Sequence, residues 1–227
     1  MRFTLRTQVS TFLSLVMVLS AGARGEDLKA IQLPKPETDG GKPLMQALKL
    51  RRTTRSFSPT KLPDQVLSNL LWAAFGVNRP ESGKRTAPSA SNWQEIDLYV
   101  ALAEGVYLYN AKAHRLDPVL AKDIRKDTGR QPFTQEAPVN LIYVADRSRM
   151  GGEAPSDKDF YSAINTGFIS QNVYLFCASE GLATVVLGLV DREALATIMK
   201  LRPEQKVIVT QPVGYPASAS ATKPAGR

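Results

Sequence analysis

The sequence predicts an α+β domain, with helices packed on a mixed or antiparallel sheet. Three observations point there. Apolar residues recur at helical spacing in some segments and alternate, or run together as branched residues, in others. The two kinds of segment are interleaved along 227 residues that are 43% hydrophobic and 22% charged, an ordinary globular balance. The first two strand-like segments, 96–103 and 105–110, lie close enough to form a hairpin, which a wholly parallel sheet excludes.

The elements follow in order. Residues 1–23 read as a cleaved secretory signal: Arg2 and Arg6, an apolar run from Thr11 to Ala23, and the small-x-small sequence AGA at its end. The run is shorter than the roughly 20 apolar residues that span a bilayer, so no stable membrane anchor is expected. The chain is therefore expected in the periplasm or outside the cell. The two arginines are not adjacent, which disfavours a twin-arginine signal. Residues 24–42 are polar and rich in Pro and Gly, and read as a flexible arm outside the core. The domain proper is expected over 43–217, with a short tail at 218–227.

Pro43 opens a short helix to Leu50. After Pro63-Asp64, the residues Val66, Leu67, Leu70, Leu71, Ala74 and Phe75 share one helical face, and Gly76 ends that helix. Residues 79–93 read as a loop. The hairpin follows, then a short helix over 117–126 and a buried strand in VNLIYVA at 139–145. A long helix covers 159–179, GLATVVLGL supplies another strand, a helix covers 191–200, and KVIVTQPV at 206–213 is the last strand.

The chemistry is read from what the chain has and lacks. His114 is the single histidine and Cys177 the single cysteine. One histidine builds no His-rich metal site, no serine lies in a G-x-S-x-G setting, and there is no Walker lysine loop or G-x-G-x-x-G. His114 reads as a solvent-exposed turn residue. Cys177, amid apolar neighbours at helical spacing, reads as a core thiol. With no reactive side chains of its own, an enzyme of this sequence needs an organic cofactor.

The formal charge is +8, or +6 without the signal segment. That favours anionic partners. Export argues against nucleic acid and leaves an anionic ligand or cofactor, or simply a soluble basic surface. The stretch LRRTTRSF at 50–57 gathers Arg51, Arg52 and Arg55 around two threonines with no acidic residue among them. Guanidinium groups grip phosphate bidentately, and hydroxyls complete its acceptor sites. Downstream, GKRTAPSASNWQ at 83–94 offers small residues for close backbone approach and an amide, Asn92, for a polar ring or polyol.

Together these stretches resemble the nitroreductase family of flavoproteins. RRTTRSF is similar to that family's RRSxRxF, with Thr53 in place of serine. PSASNWQ (Pro88–Gln94) fits PSxxNxQ. The helix running into GLATVVLG looks like the family's central helix and GLG strand, with Ala183 for the second glycine, and PVGYPA matches its closing GYP. The likeness covers Leu44 to Ala217 and is nearest the branch that includes SagB-type peptide-azoline dehydrogenases. It implies a homodimer with FMN at the subunit interface and a small-molecule electron donor and acceptor served in ping-pong. It implies that Arg51, Arg52, Thr53 and Arg55 hold the phosphate and ribityl chain from one subunit, with Pro88, Ser89, Ala90 and Asn92 arriving from the other. Leu187 and Gly188 lie along the isoalloxazine, Gln131 contacts the ring, and Lys223 or Arg227 completes the phosphate site. No side-chain acid or base is implied. The alternatives are a non-catalytic flavin or small-ligand binding protein on the same scaffold, and a basic surface module that binds anionic polymers.

Overall fold

The computed structural model describes residues 28–152 and 154–217, so the expected signal segment and tail, including Lys223 and Arg227, lie outside the described residues. One seven-stranded sheet forms the centre. β4 (Ile96–Ala101) lies between β5 (Val106–Asn110) and β7 (Val139–Asp146). β6 (Arg115–Leu120) flanks β5, and β9 (Gln205–Gly214) flanks β7. The two-residue strands β1 (Ile31–Gln32) and β8 (Ala183–Thr184) close the rims. Every pairing in the sheet is antiparallel.

Period-two alternation sorts the strands onto two apolar layers. Ile96, Leu98 and Val100 of β4 face one layer with Leu141 and Tyr143 of β7, covered by α2 (Asp64–Phe75) and α4 (Pro155–Glu180). Tyr99 and Ala101 face the other layer with Ile142 and Val144, covered by α5 (Arg192–Ile198) and the segments around Ile124 and Leu187. All eight residues of β7 are buried, as a central strand with both faces covered requires. α1 (Leu44–Leu50) lies on α4. Gly76 does follow α2, but in an extended conformation rather than a left-handed one. A Cβ there would lie 2.5 Å from the Trp72 ring, so the glycine serves a close approach.

Four local expectations are corrected. Residues 117–126 do not form a helix. Arg115–Leu120 is a strand paired with β5, and a single 3-10 turn follows at Arg125–Thr128. Pairing overrides local propensity here, and Pro118 is tolerated because β1 bonds only Arg115 and Leu116, which leaves its own edge open. The loop at 79–93 contains half of a small hairpin, β2 (Val77–Arg79) with β3 (Lys84–Arg85). The GLATVVLGL strand shrinks to β8 and a lone bridge from Leu187 to Thr210. The arm is not detached: β1 joins the sheet and Leu33 is buried in the core.

A further correction concerns His114, which is half-buried and bonded at both ring nitrogens rather than exposed. Ser68 Oγ donates to the Pro34 carbonyl at 2.6 Å, so it accepts from His114 Nε2 at 2.7 Å. Nδ1 then accepts from the Tyr109 hydroxyl at 2.9 Å. Gln32 also donates to the His114 carbonyl. The neutral imidazole thus clasps the arm to α2 and the β5–β6 turn. Burial pulls the His114 pKa below its ordinary value, partly opposed by the bond network at Pro34. Because the folded pKa is depressed, the unfolded chain binds the proton more readily, and the clasp's contribution is present above about pH 6.5 and lost as the pH falls through the lowered folded value. In denaturant melts, the wild type's stability margin over His114→Asn is expected to shrink on acidification from about pH 7.5 to about pH 5. Asparagine is chosen because position 114 has φ of 47°, which that residue tolerates. A constant margin would refute the clasp.

Candidate functional site

The arginine stretch leaves α1 as extended chain, so successive side chains point to opposite sides. Thr54 N bonds the Thr184 carbonyl at 3.0 Å and fixes the stretch against β8. On one side, Arg51 lies over the Tyr174 ring, 5.4 Å from its centroid, and Thr53 Oγ1 is 3.2 Å from the Tyr174 hydroxyl. On the other, Arg52 and Thr54 line a cavity of about 470 Å³ with Lys42 and the end of α4, from Cys177 to Leu182. The three guanidinium groups are therefore not aimed at one point. Arg51 shares its side with Thr53, Arg52 faces away, and Arg55 is exposed. None of the three forms an ion pair among the described residues.

Tyr174 is the hinge of this half of the site. Its hydroxyl accepts from the Val186 amide at 3.0 Å while meeting Thr53. It therefore ties the arginine stretch to the segment that carries Leu187 and Gly188. Leu187 is buried and doubly bonded to Thr210. Gly188 is exposed, and a Cβ there would meet nothing within 4 Å. Gln131 lies beside Leu187: a Cβ built on Gly129 would be 2.8 Å from Leu187 Cδ1 and 3.2 Å from Gln131 Oε1. That Oε1 atom is buried without a partner among the described residues. Phe133 packs near by on Phe57, with ring centroids 5.7 Å apart.

The second stretch, Pro88–Gln94, sits elsewhere. Ala90 N donates to Asn165 Oδ1 of α4 at 3.2 Å. Ser91, Asn92 and Gln94 all have positive φ, between 48° and 54°, which is rare for residues with a Cβ. A bonded frame holds them there. Gln94 N donates to Ser89 Oγ, and Gln94 Nε2 donates to Asn92 Oδ1 and the Gly83 carbonyl. Arg85 Nε donates to Gln94 Oε1 at 2.8 Å, with the guanidinium over the Phe75 ring at 4.3 Å. Burial pulls the Arg85 pKa down, though it remains a cation. Pro88 and Asn92 are exposed, Ser89 and Ala90 half-buried.

One chain thus joins Arg51, Thr53, Leu187, Gly188 and Gln131 into one half-site and keeps Pro88–Asn92 in another. Sequence reasoning missed Tyr174 and Asn165, which organise these halves together with Arg85. A signal for the first was present: a polar-tipped aromatic in the otherwise apolar run VYLFC. Cys177 takes no part, being buried with its thiol pushed up by desolvation.

A model of the nitroreductase family matches residues 48–215. The chain belongs to the nitroreductase family. A curated nitroreductase-family protein of Methanocaldococcus jannaschii is 31% identical over 199 residues, 83% of this chain and 97% of that one. A crystal structure of a nitroreductase-family protein from Ralstonia eutropha JMP134 is 43% identical, covers 86% of this chain and 92% of its own, and superposes with a TM-score of 0.81. The NADPH:FMN oxidoreductase of Vibrio harveyi, solved with NAD+, shares the fold at 16% identity and a TM-score of 0.59, over 80% of this chain and 72% of that one. The family is one of oxidoreductases, so the α+β fold and its general chemistry follow together.

The residues present suit FMN. Unpaired cations and the Thr53 hydroxyl match a phosphate, and the orphaned Gln131 oxygen can accept a ring N–H. The open face at Gly188 leaves room for a planar system. Tyr174→Phe removes the hydroxyl that meets both Thr53 and Val186 N. It is expected to cost about 1–3 kcal/mol in urea unfolding, since the Val186 amide loses its acceptor. An unchanged midpoint would show that the link carries no weight.

Proposed function

We propose that this nitroreductase-family chain is an exported, FMN-dependent oxidoreductase that works as a homodimer and passes reducing equivalents between a small-molecule donor and a planar acceptor in ping-pong. The observation that carries the reading is the separation of the two half-sites along α4. Asn165 and Tyr174 are nine residues apart, which is about two and a half turns, or roughly 13 Å along the axis and half a turn around it. Around the helix, between these two flanks and beginning before Asn165, runs an exposed apolar stripe, Phe160, Ile164 and Phe168, spaced at four residues. Gly167, also exposed, offers its bare backbone beside Phe168. A two-fold axis that packs this stripe on its copy brings both half-sites of each subunit to one seam. In that pair the partner subunit's Pro88–Asn92 segment completes the Tyr174 half-site of this chain. Leu44, Met45 and Leu48 of α1, all exposed, extend the apolar surface.

Farther along α4, Val173, Phe176 and Cys177 lie outside this stripe. Val173 and Cys177 belong to the core and Phe176 packs against it.

Bound FMN supplies the redox chemistry. Arg51 and Arg55 neutralise the phosphate, and Thr53 donates to it. Gln131 Oε1 would accept an N–H of the ring edge, Leu187 would offer an apolar contact, and Gly188 would leave the space beside it open. A site beyond the cytoplasm points to a donor other than a nicotinamide nucleotide.

The purified protein is expected to be yellow, to elute as a dimer, and to release FMN on denaturation. Arg51→Ala is expected to weaken FMN binding roughly ten- to a hundredfold, the worth of one charge-assisted contact, with Arg52→Ala much milder because that side chain faces the other cavity. Colourless protein that ignores added FMN would sink the proposal.

A further inference from the structure

Glu95 is fully buried at the foot of β4. Its carbonyl accepts from Asp146 N at 2.8 Å, fixing it to the end of β7. Its side chain points to α4, where Oε1 accepts from Asn165 Nδ2 at 2.8 Å. Its other oxygen, Oε2, has no partner among the described residues. A buried carboxylate oxygen without a donor is costly, and an apolar residue of similar size would avoid that cost. The use of a glutamate here must lie in the bond it makes.

That bond decides which way Asn165 faces. A side-chain amide has one accepting end and one donating end. Ala90 N–H can only donate and so takes the Asn165 oxygen, while Glu95 Oε1 accepts from Nδ2 and holds the amide in that orientation. A single buried amide, 1% exposed, thereby staples both ends of the 90–95 loop to α4. Inside that loop lie the positive-φ residues Ser91, Asn92 and Gln94. Arg85 and Gln94 brace its far side, and Asn165 with Glu95 braces the side against the helix.

We infer that Glu95 is a positioning residue for the flavin half-site: acting through Asn165, it sets the height and orientation of the Ala90–Asn92 backbone that meets the cofactor. It touches neither flavin nor substrate itself. The inference rests on the flavin reading above, and its experiment separates the two.

The full-length chain is stripped of flavin and titrated with FMN, and backbone hydrogen exchange is followed over residues 86–96. Glu95→Gln keeps an acceptor at the same place and is expected to bind FMN within about twofold of wild type. Glu95→Ala and Asn165→Ala are each expected to weaken binding about tenfold and to speed exchange at 88–95 while exchange at 51–57 stays unchanged. The double variant is expected to be no worse than the poorer single one, because both remove one link. Glu95→Gln losing as much as Glu95→Ala, additive losses, or unchanged exchange in the alanine variants would overturn the inference. If Glu95→Ala does not fold, Asn165→Ala and Glu95→Gln decide it. If the wild type itself ignores FMN, the flavin reading falls, and the exchange pattern alone still tests whether Glu95 holds the loop.

Discussion

One long helix must satisfy two unlike surfaces, and the rest of the molecule is arranged around that demand. α4 runs for 26 residues. Toward the sheet it buries Ile169, Val173 and Cys177, but also Ser162, Asn165, Thr166 and Ser170. Apolar burial holds the helix down without choosing a register, because it has no direction. Polar contacts choose. Asn165 binds the loop and Glu95, while Gln211 of β9 accepts from Tyr143 and reaches the Ser170 carbonyl. A slide of one turn would break these bonds in a place with no water to replace them. The two halves of the site inherit their spacing from that fixed register.

The loop at 89–94 shows how such rigidity reaches the surface. Its left-handed residues store strain that an unsupported loop would relax. Ser89, Arg85, Gln94 and Asn165 hold it in place before any ligand arrives. Less ordering is then left for binding to do, so more of each contact is available as affinity. The exposed Asn92 sits on a braced turn rather than a loose one.

The sequence made the layered fold legible where a pattern could repeat within a few residues. Alternation in IDLYVA and the unbroken branched run VNLIYVA mark β4 and β7, and the apolar face of Val66–Phe75 marks α2. Elements that exist only by long-range pairing escaped. Ile31–Gln32 is a strand because Arg115 and Leu116 lie beside it, and Asp117–Leu120 is extended because β5 is there. The contiguous motifs identified Arg51, Thr53 and Pro88–Asn92 as candidates. They could not reveal that Arg52 faces another cavity, since sidedness depends on the extended backbone pinned by Thr184. Nor could spacing reveal that Asn165 and Tyr174 divide the site between two flanks of one helix. Those roles rest on contacts across more than 70 and 120 positions of chain. His114 misled for a related reason: a turn position suggests water, but Pro34 and Ser68 return to cover it.

The rims of the sheet carry a consequence for assembly. Each margin ends in a strand of two residues, Ile31–Gln32 on one side and Ala183–Thr184 on the other. So short a border offers a newcomer almost no ladder to extend, and Pro118 lacks the N–H that a docking strand would seek. Fibre-like growth by backbone addition is discouraged at both margins. In the proposed dimer, association falls instead to the helical side of the molecule, where a closed pair can form and stop.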